Sequence, residues 1–181
     1  MKNILLLGAT GSIGDSVLNV IRQNKSTLNL FGIAVGKNIK KTESIIKTFL
    51  PKHIFVDDVK AYDEISSFHP DKNILNSDQE LLNLISDDKV DIVISAIVGF
   101  AGLKASLMAV NAGKTVLIAN KESIVAAGDI LMPLARSKGS IIIPIDSEHN
   151  AIFQCLPEDK TTKDVDKITI TASGGPFINI P

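Results

Sequence analysis

The sequence predicts a doubly wound α/β domain built on a mostly parallel sheet. Three observations point there. A buried-strand pattern, a glycine-rich turn and an amphipathic-helix pattern follow one another within residues 4–21. Apolar runs of strand length then alternate with helix-period segments as far as residue 145. Several runs are continuously apolar, as strands are when both faces of a parallel sheet are covered.

The first run is Ile4-Leu5-Leu6-Leu7, the turn is Gly8-Ala9-Thr10-Gly11-Ser12-Ile13-Gly14, and Ile13, Val17, Val20 and Ile21 mark the helix. Glycines let such a turn tighten and let the backbone approach a pyrophosphate with no Cβ in the way. The helix start offers N–H groups and a positive dipole end to that anion. The spacing is G-x-x-G-x-x-G rather than the commoner G-x-G-x-x-G. Its position between strand and helix strengthens the motif, and a plain turn with no ligand is the alternative. The second run, residues 28–35, ends in Gly36-Lys37-Asn38, with Lys40 and Lys41 beyond. An acidic residue near here takes the ribose 2′-hydroxyl of NAD, whereas a basic one accommodates the 2′-phosphate of NADP. No Asp or Glu occurs between Leu28 and Thr42, so a preference for NADP(H) is expected. The alternative is that these lysines form a solvated helix start.

The next helix carries Ile45, Ile46 and Phe49 and stops at Pro51. Residues 53–56 read as a short strand and 57–68 as a helix with loops. His69, beside Pro70, reads as a surface histidine rather than a ligand. Ser77-Asp78-Gln79-Glu80 is a capping box, and its helix is expected to bury Leu81, Leu82 and Ile85. Residues 91–96 form a strand running into Ile97-Val98-Gly99-Phe100-Ala101-Gly102. Leu103, Leu107 and Val110 mark a helix that Gly113 caps. Residues 115–119 are a strand, and Asn120-Lys121-Glu122-Ser123 opens a helix with Ile124, Ala127, Leu131 and Leu134 on one face. Residues 140–145 are the sixth strand. Residues 1–145 thus read as one Rossmann-like nucleotide-binding domain. Residues 146–181 read as the beginning of a second, catalytic α+β domain: a short helix over 151–156, a charged loop over 157–166, a strand over 167–171, then Ser173-Gly174-Gly175-Pro176-Phe177.

The 181 residues suit one ordinary domain, or one plus the start of another. With 45% hydrophobic and 22% charged residues a sizeable core is expected and global disorder is not. A formal net charge of −1 argues against a general nucleic-acid or membrane-surface partner. Cys155 is the only cysteine, which excludes an internal disulfide and a multi-cysteine metal site and suits a reducing, cytoplasmic setting. Met1-Lys2-Asn3 leads straight into a strand without a signal- or transit-peptide pattern. No apolar run approaches the ~20 residues that span a bilayer.

Ligands of open α/β sheets lie outside the carboxyl ends of the strands, and the unusual residues cluster at those ends. Asp146 and Glu148 are two apart, so in an extended segment they point to one side. There they can share a hard divalent cation, Mg²⁺ or Mn²⁺ rather than Zn²⁺. Equally, Asp146 or Ser147 caps the following helix. His149 joins that site, pairs with a carboxylate, or is a satisfied structural residue. Lys121, opening a helix at a strand end, meets an anion or is solvated. Ser173-Gly174-Gly175 is a phosphate or polyol cradle, or a tight turn.

Together these stretches resemble one family, 1-deoxy-D-xylulose 5-phosphate reductoisomerase. The resemblance rests on the turn 8–14, Gly36-Lys37-Asn38, Ala119-Asn120-Lys121-Glu122-Ser123, the run Asp146-Ser147-Glu148-His149-Asn150-Ala151-Ile152-Phe153-Gln154, and Ser173-Gly174-Gly175-Pro176-Phe177. It implies NADPH contacts from Thr10, Gly11, Ser12, Ile13, Gly36, Lys37, Asn38, Asn120 and Glu122. It implies Mg²⁺ or Mn²⁺ on Asp146 and Glu148. Contacts to a sugar-phosphate substrate would come from Lys121, Ser147, Glu148 and Ser173, with Ser173 near the phosphate. The implied reaction rearranges 1-deoxy-D-xylulose 5-phosphate and reduces the product to 2-C-methyl-D-erythritol 4-phosphate, a step of non-mevalonate isoprenoid biosynthesis, in a homodimer. Family members continue past this point with another metal carboxylate, more phosphate ligands, a lid and a helical domain. The 181 residues alone are therefore expected to keep a cofactor-binding fold and to be essentially inactive. Two other readings stand beside it. One is a different NADP-dependent dehydrogenase, such as a semialdehyde dehydrogenase, which needs a nucleophilic cysteine; Cys155, in the apolar segment 152–156, reads as core. The other is a nucleotide-binding module without catalysis.

Overall fold

The computed structural model describes residues 1–97, 99, 101–157, 163 and 165–169. Fourteen elements alternate along it: β1 Lys2–Leu7, α1 Ser12–Gln23, β2 Leu28–Val35, α2 Ile39–Phe49, β3 His53–Val56, α3 Val59–Phe68, β4 Asn73–Leu75, α4 Asp78–Ser86, β5 Ile92–Ser95, α5 Ala101–Asn111, β6 Thr115–Ile118, α6 Lys121–Lys138, β7 Ile141–Pro144 and α7 Ser147–Cys155. The strands form one sheet in the order β4-β3-β2-β1-β5-β6-β7, and every pairing is parallel. The chain winds outward from β1 to β4, returns to lay β5 against the other side of β1, and winds outward again to β7. Strand order therefore reverses between β1 and β5, where doubly wound sheets open a crevice for ligands.

Strand periodicity splits the core in two. Leu5 and Leu7 pack on one face with Val93, Val116 and Leu131, while Ile4 and Leu6 pack on the other with Leu18, Ile33 and Ile65. Both faces of β1 are thus covered, which is why its sequence is a continuous apolar run.

Most expected elements are present, and several details differ. β4 has no counterpart in the sequence reading. It is three residues long and only partly buried, so it carries no strand pattern, and its pairing with His53–Phe55 makes it a strand. The capping box of α4 is complete, but the helix buries Leu81, Leu84 and Ile85 rather than Leu82, which follows the i, i+3, i+4 stripe. His69 is not a surface group: its side chain is 15% exposed and its Nε2 lies 2.7 Å from Glu43 Oε1, because the end of α3 packs on α2. β7 is a sheet edge with Ile141 58% exposed, so its apolar sequence is not covered on both faces by the described residues. In α6 the backbone at Ala127 is non-helical, φ −139° and ψ 19°, so the turn bearing Lys121 and Glu122 is aimed separately from the rest of the helix. Of the strand expected over 167–171, residues 167–169 are described and are not in a strand. No helix among the described residues is long and apolar enough to cross a membrane.

α2 ends as Pro51 predicts, yet its cap is unusual. Leu50 is left-handed, with φ 52° and ψ 49°, a conformation that suits glycine. Its side chain is 68% exposed and recovers little by burial. Leu50→Gly is therefore expected to raise stability by roughly 1 kcal/mol, since the left-handed backbone penalises a Cβ. Urea unfolding of the two chains checks this, and a lower midpoint for the glycine form would refute it.

Candidate functional site

The crevice at the switch point is built by the glycine turn. Gly8 has φ +84°, and the N–H groups of Gly8 and Ala9 both donate to the Ala34 carbonyl, at 2.9 and 3.1 Å. A Cβ on Gly8 would lie 2.7 Å from the Ala96 carbonyl oxygen, and one on Gly14 would lie 2.5 Å from that of Ala9. The outer glycines are thus required by close packing of β1, β5 and α1. Gly11 is roomier, with its nearest neighbour at 3.4 Å, and it is the N-cap of α1 without a side-chain cap. That start of α1 keeps its N–H groups free of side-chain competition, as an anion site requires. The turn roofs a cleft of about 440 Å³ bounded by Thr10, Gly11, Gly36 and Ile97, with an apolar wall that includes Val35, Phe55 and Met108. The volume and apolar lining suit a cofactor-sized ligand.

The end of β2 forms the cleft's outer rim. Nothing lies within 4 Å of a Cβ built on Gly36. Lys37 is exposed and its ammonium makes no ion pair among the described residues. Asn38 is the N-cap of α2, its Oδ1 accepting from the Lys41 N–H at 3.1 Å. Lys41 is committed elsewhere, to Asp15 at 2.6 Å and to the Thr10 carbonyl at 3.0 Å. Of the three lysines in this stretch, Lys37 and Lys40 remain open to a phosphate.

A second, smaller cavity of about 90 Å³ shares Ala96 and Ile97 with the first and is bordered by Ile13, Asn120, Lys121 and Glu122. Asn120 is 2% exposed, and its side chain is fully used by the protein. Its Nδ2 donates to the carbonyls of Ile97, at 2.9 Å, and Gly99, and its Oδ1 accepts from the Ser123 N–H at 3.1 Å. The Asn120 amide thus fastens the end of β5 to the start of α6. Gly102 belongs to the same unit: a Cβ there would stand 2.6 Å from the Ile97 carbonyl and 2.7 Å from Asn120 Nδ2.

Lys121, which lines this cavity, places its Nζ 3.3 Å from Asp146 Oδ2, which links the ends of β6 and β7. Asp146 is only 14% exposed, and its Oδ1 also takes His149 Nδ1 at 2.7 Å. Burial alone would raise the Asp146 carboxyl, but hydrogen bonds from the His149 side chain and N–H, then from Lys121, hold it at about 2 instead of 3.8. Lys121 is raised in turn, first by its hydrogen bond to Asp146 and then by the charges of Asp146 and Glu148. The 146–148 segment is a helix start, not the extended segment that the sequence suggests. Asp146 is the N-cap of α7 and accepts from the His149 N–H, while Ser147 and Glu148 are already helical. Positions i and i+2 of a helix start do not share a face as strand residues do. Ser147, Glu148 and His149 are exposed.

Two carboxylates are the oxygen donors a hard cation takes, but both Asp146 oxygens are already engaged, Oδ2 by the Lys121 ammonium and Oδ1 by His149, so a cation there would have to displace Lys121. Among the described residues no group of three or more His, Cys, Asp or Glu side chains is gathered to hold a metal ion. Ser173 lies outside the described residues. Cys155 is exposed rather than core, because α7 has no fully buried residue. The sequence reading did not single out Asp57, Asp78 or Lys104 at the cleft, nor the Lys104–Asp78 and Lys41–Asp15 ion pairs. Asp57 follows β3 directly, so the strand-end rule alone could have found it; the pairings depend on tertiary structure.

The sequence model of 1-deoxy-D-xylulose 5-phosphate reductoisomerase matches residues 4–128, and that of the enzyme's C-terminal domain matches residues 142–181. A reductoisomerase of this name from Desulfitobacterium hafniense (strain DSM 10664 / DCB-2) is 44% identical over 98% of this chain and 46% of its own length. One from Actinobacillus pleuropneumoniae serotype 5b (strain L20) is 43% identical over 98% and 48%. The chain thus spans slightly under half the length of these curated relatives. A crystal structure of DOX-P reductoisomerase in complex with NADPH, fosmidomycin and magnesium superposes with a TM-score of 0.83 at 42% identity, over 88% of this chain and 40% of the other. The Zymomonas mobilis enzyme in complex with NADPH gives 0.81 at 35% identity, over 87% and 42%. A homoserine dehydrogenase from Thiobacillus denitrificans, 21% identical with a TM-score of 0.55 over 78% and 28%, shares the fold alone. By its sequence and its sheet, this chain is a member of the 1-deoxy-D-xylulose 5-phosphate reductoisomerase family.

Proposed function

We propose that this chain provides the NADPH-binding domain, residues 1–145, and the first part of the metal and substrate region, residues 146–181, of an enzyme that converts 1-deoxy-D-xylulose 5-phosphate to 2-C-methyl-D-erythritol 4-phosphate. The observation that carries the reading is that two cavities share Ala96 and Ile97, one lined by the glycine turn and the other by Lys121, whose ammonium pairs with Asp146. Crystal structures of related reductoisomerases in complex with NADPH, and in one case with magnesium too, support the assignment of those ligands.

Thr10, Ser12 and Ile13 would cradle the pyrophosphate with backbone N–H groups, and Gly11, whose N–H donates to the Gly8 carbonyl at 3.0 Å, would let the backbone approach it. Gly36, Lys37 and Asn38 would take the 2′-phosphate end, and Asn120 and Glu122 the nicotinamide end. Asp146 and Glu148 would hold Mg²⁺ or Mn²⁺. Lys121, a firm cation, would orient an anionic or polyol substrate with Ser147, Glu148 and Ser173. Bound, the cofactor would supply hydride and the cation would polarise substrate oxygens. Two carboxylates leave most of a cation's shell unfilled, so the 181 residues are inferred to bind NADPH without turning substrate over.

Lys37 gives the test. Lys37→Glu is expected to weaken NADPH binding about 30-fold, the worth of a lost charge-assisted contact of about 2 kcal/mol, and to leave NADH affinity unchanged. Fluorescence titration of both nucleotides measures this. An unchanged ratio of NADPH to NADH affinity would remove the 2′-phosphate assignment, and detectable turnover by the 181-residue chain would remove the inference of inactivity.

A further inference from the structure

We propose that Lys41 is a positioning residue for the cofactor, fastening the glycine-rich turn to the turn after β2 and countering the charge of Asp15. The proposal rests on the NADPH reading above. The Lys41 ammonium lies 3.0 Å from the Thr10 carbonyl oxygen and 2.6 Å from Asp15 Oδ2, and its side chain is 30% exposed. Its backbone N–H donates to Asn38 Oδ1 at 3.1 Å. One residue therefore touches both turns that border the cleft, 8–14 through its side chain and 36–38 through its backbone.

The charge arrangement explains why a cation is needed there. Asp15 is in the first turn of α1, where a helix dipole favours an acid. A dinucleotide pyrophosphate would meet the same helix end, and the Asp15 carboxylate would repel it. Lys41 supplies the counter-charge while its ammonium is held by protein oxygens. It thus acts on the pyrophosphate end, which NADPH and NADH share. Lys37 acts on the 2′-phosphate, which only NADPH has.

That difference sets the experiment. In the 181-residue chain, Lys41→Met is expected to weaken NADPH and NADH alike, by about five- to ten-fold. Lys41→Arg should recover most of the loss, because a guanidinium can bond both oxygens. Adding Asp15→Asn to Lys41→Met should recover part of it, because the uncompensated charge is gone. Circular dichroism of each variant separates folding from affinity. A loss confined to NADPH would make Lys41 a direct 2′-phosphate ligand and overturn the proposal. So would equal losses with no recovery in the double variant, or no loss at all. If the unsubstituted chain binds neither nucleotide, the functional reading falls and this role falls with it. Normal binding by that chain with an unaffected Lys41→Met removes this role alone.

Discussion

Gly8→Ala is expected to destabilise the domain by about 3 kcal/mol and to abolish nucleotide binding with it. Two costs add at this position. The backbone has φ +84°, where a Cβ is penalised by roughly 1–2 kcal/mol. That Cβ would also lie 2.7 Å from the Ala96 carbonyl oxygen, 2.8 Å from its carbon and 3.0 Å from the Ile97 nitrogen. All three are backbone atoms at the end of β5, so no rotamer change relieves the clash. The relief must come from parting β1 and β5, which are the walls of the crevice. Gly36→Ala is the matched control. Its Cβ would meet nothing within 4 Å. Stability should therefore hold within about 0.5 kcal/mol, and only nucleotide affinity should respond. Urea unfolding with NADPH titration on both variants tests the pair. Equal stability losses at Gly8 and Gly36 would show that the tight approach of β1 to β5 is not what the first glycine serves.

The contrast between these glycines also marks what a sequence can convey. Local periodicity and turn chemistry were legible: the buried run before Gly8, the capping box at Ser77–Glu80 and the stop at Pro51 all act within a few residues. β4 was not legible, because three half-buried residues become a strand only by pairing with β3. The coverage of β7 is not legible for a related reason. An apolar run reports a preference for burial, and whether a neighbour covers it is decided elsewhere in the chain. At the site, residue types at strand ends were identifiable, but their pairings were not. Lys41 reads like Lys37 in sequence, yet one is tied to Asp15 and the other is open. Asn120 reads as a cofactor contact, and its side chain also brackets Ile97 and Gly99. Such distinctions depend on contacts across more than twenty residues, which no spacing rule encodes.

Asp146 carries the other large effect, because cap and charge can be separated there. Asn is as good an N-cap as Asp, so Asp146→Asn should leave α7 formed while removing the negative charge. If the residue were only a cap, the substitution would be nearly silent. The geometry predicts otherwise. Lys121 at 3.3 Å and His149 at 2.7 Å both converge on this carboxylate, which is 14% exposed. It titrates at about 2 instead of 3.8, so folding favours its ionised form. The resulting stabilisation, about 2 kcal/mol, is complete above the unfolded value and is lost as pH falls through the folded one. Asp146→Asn should therefore be less stable by about that amount at near-neutral pH and nearly equal to the unsubstituted chain in strong acid. Removing one of the two carboxylates proposed to hold the cation should also lower Mn²⁺ affinity by about 100-fold, read by electron paramagnetic resonance titration. Helicity by circular dichroism should stay unchanged throughout. A stability difference independent of pH, or Mn²⁺ affinity the same in both chains, would reduce Asp146 to the helix cap that its backbone position already makes it.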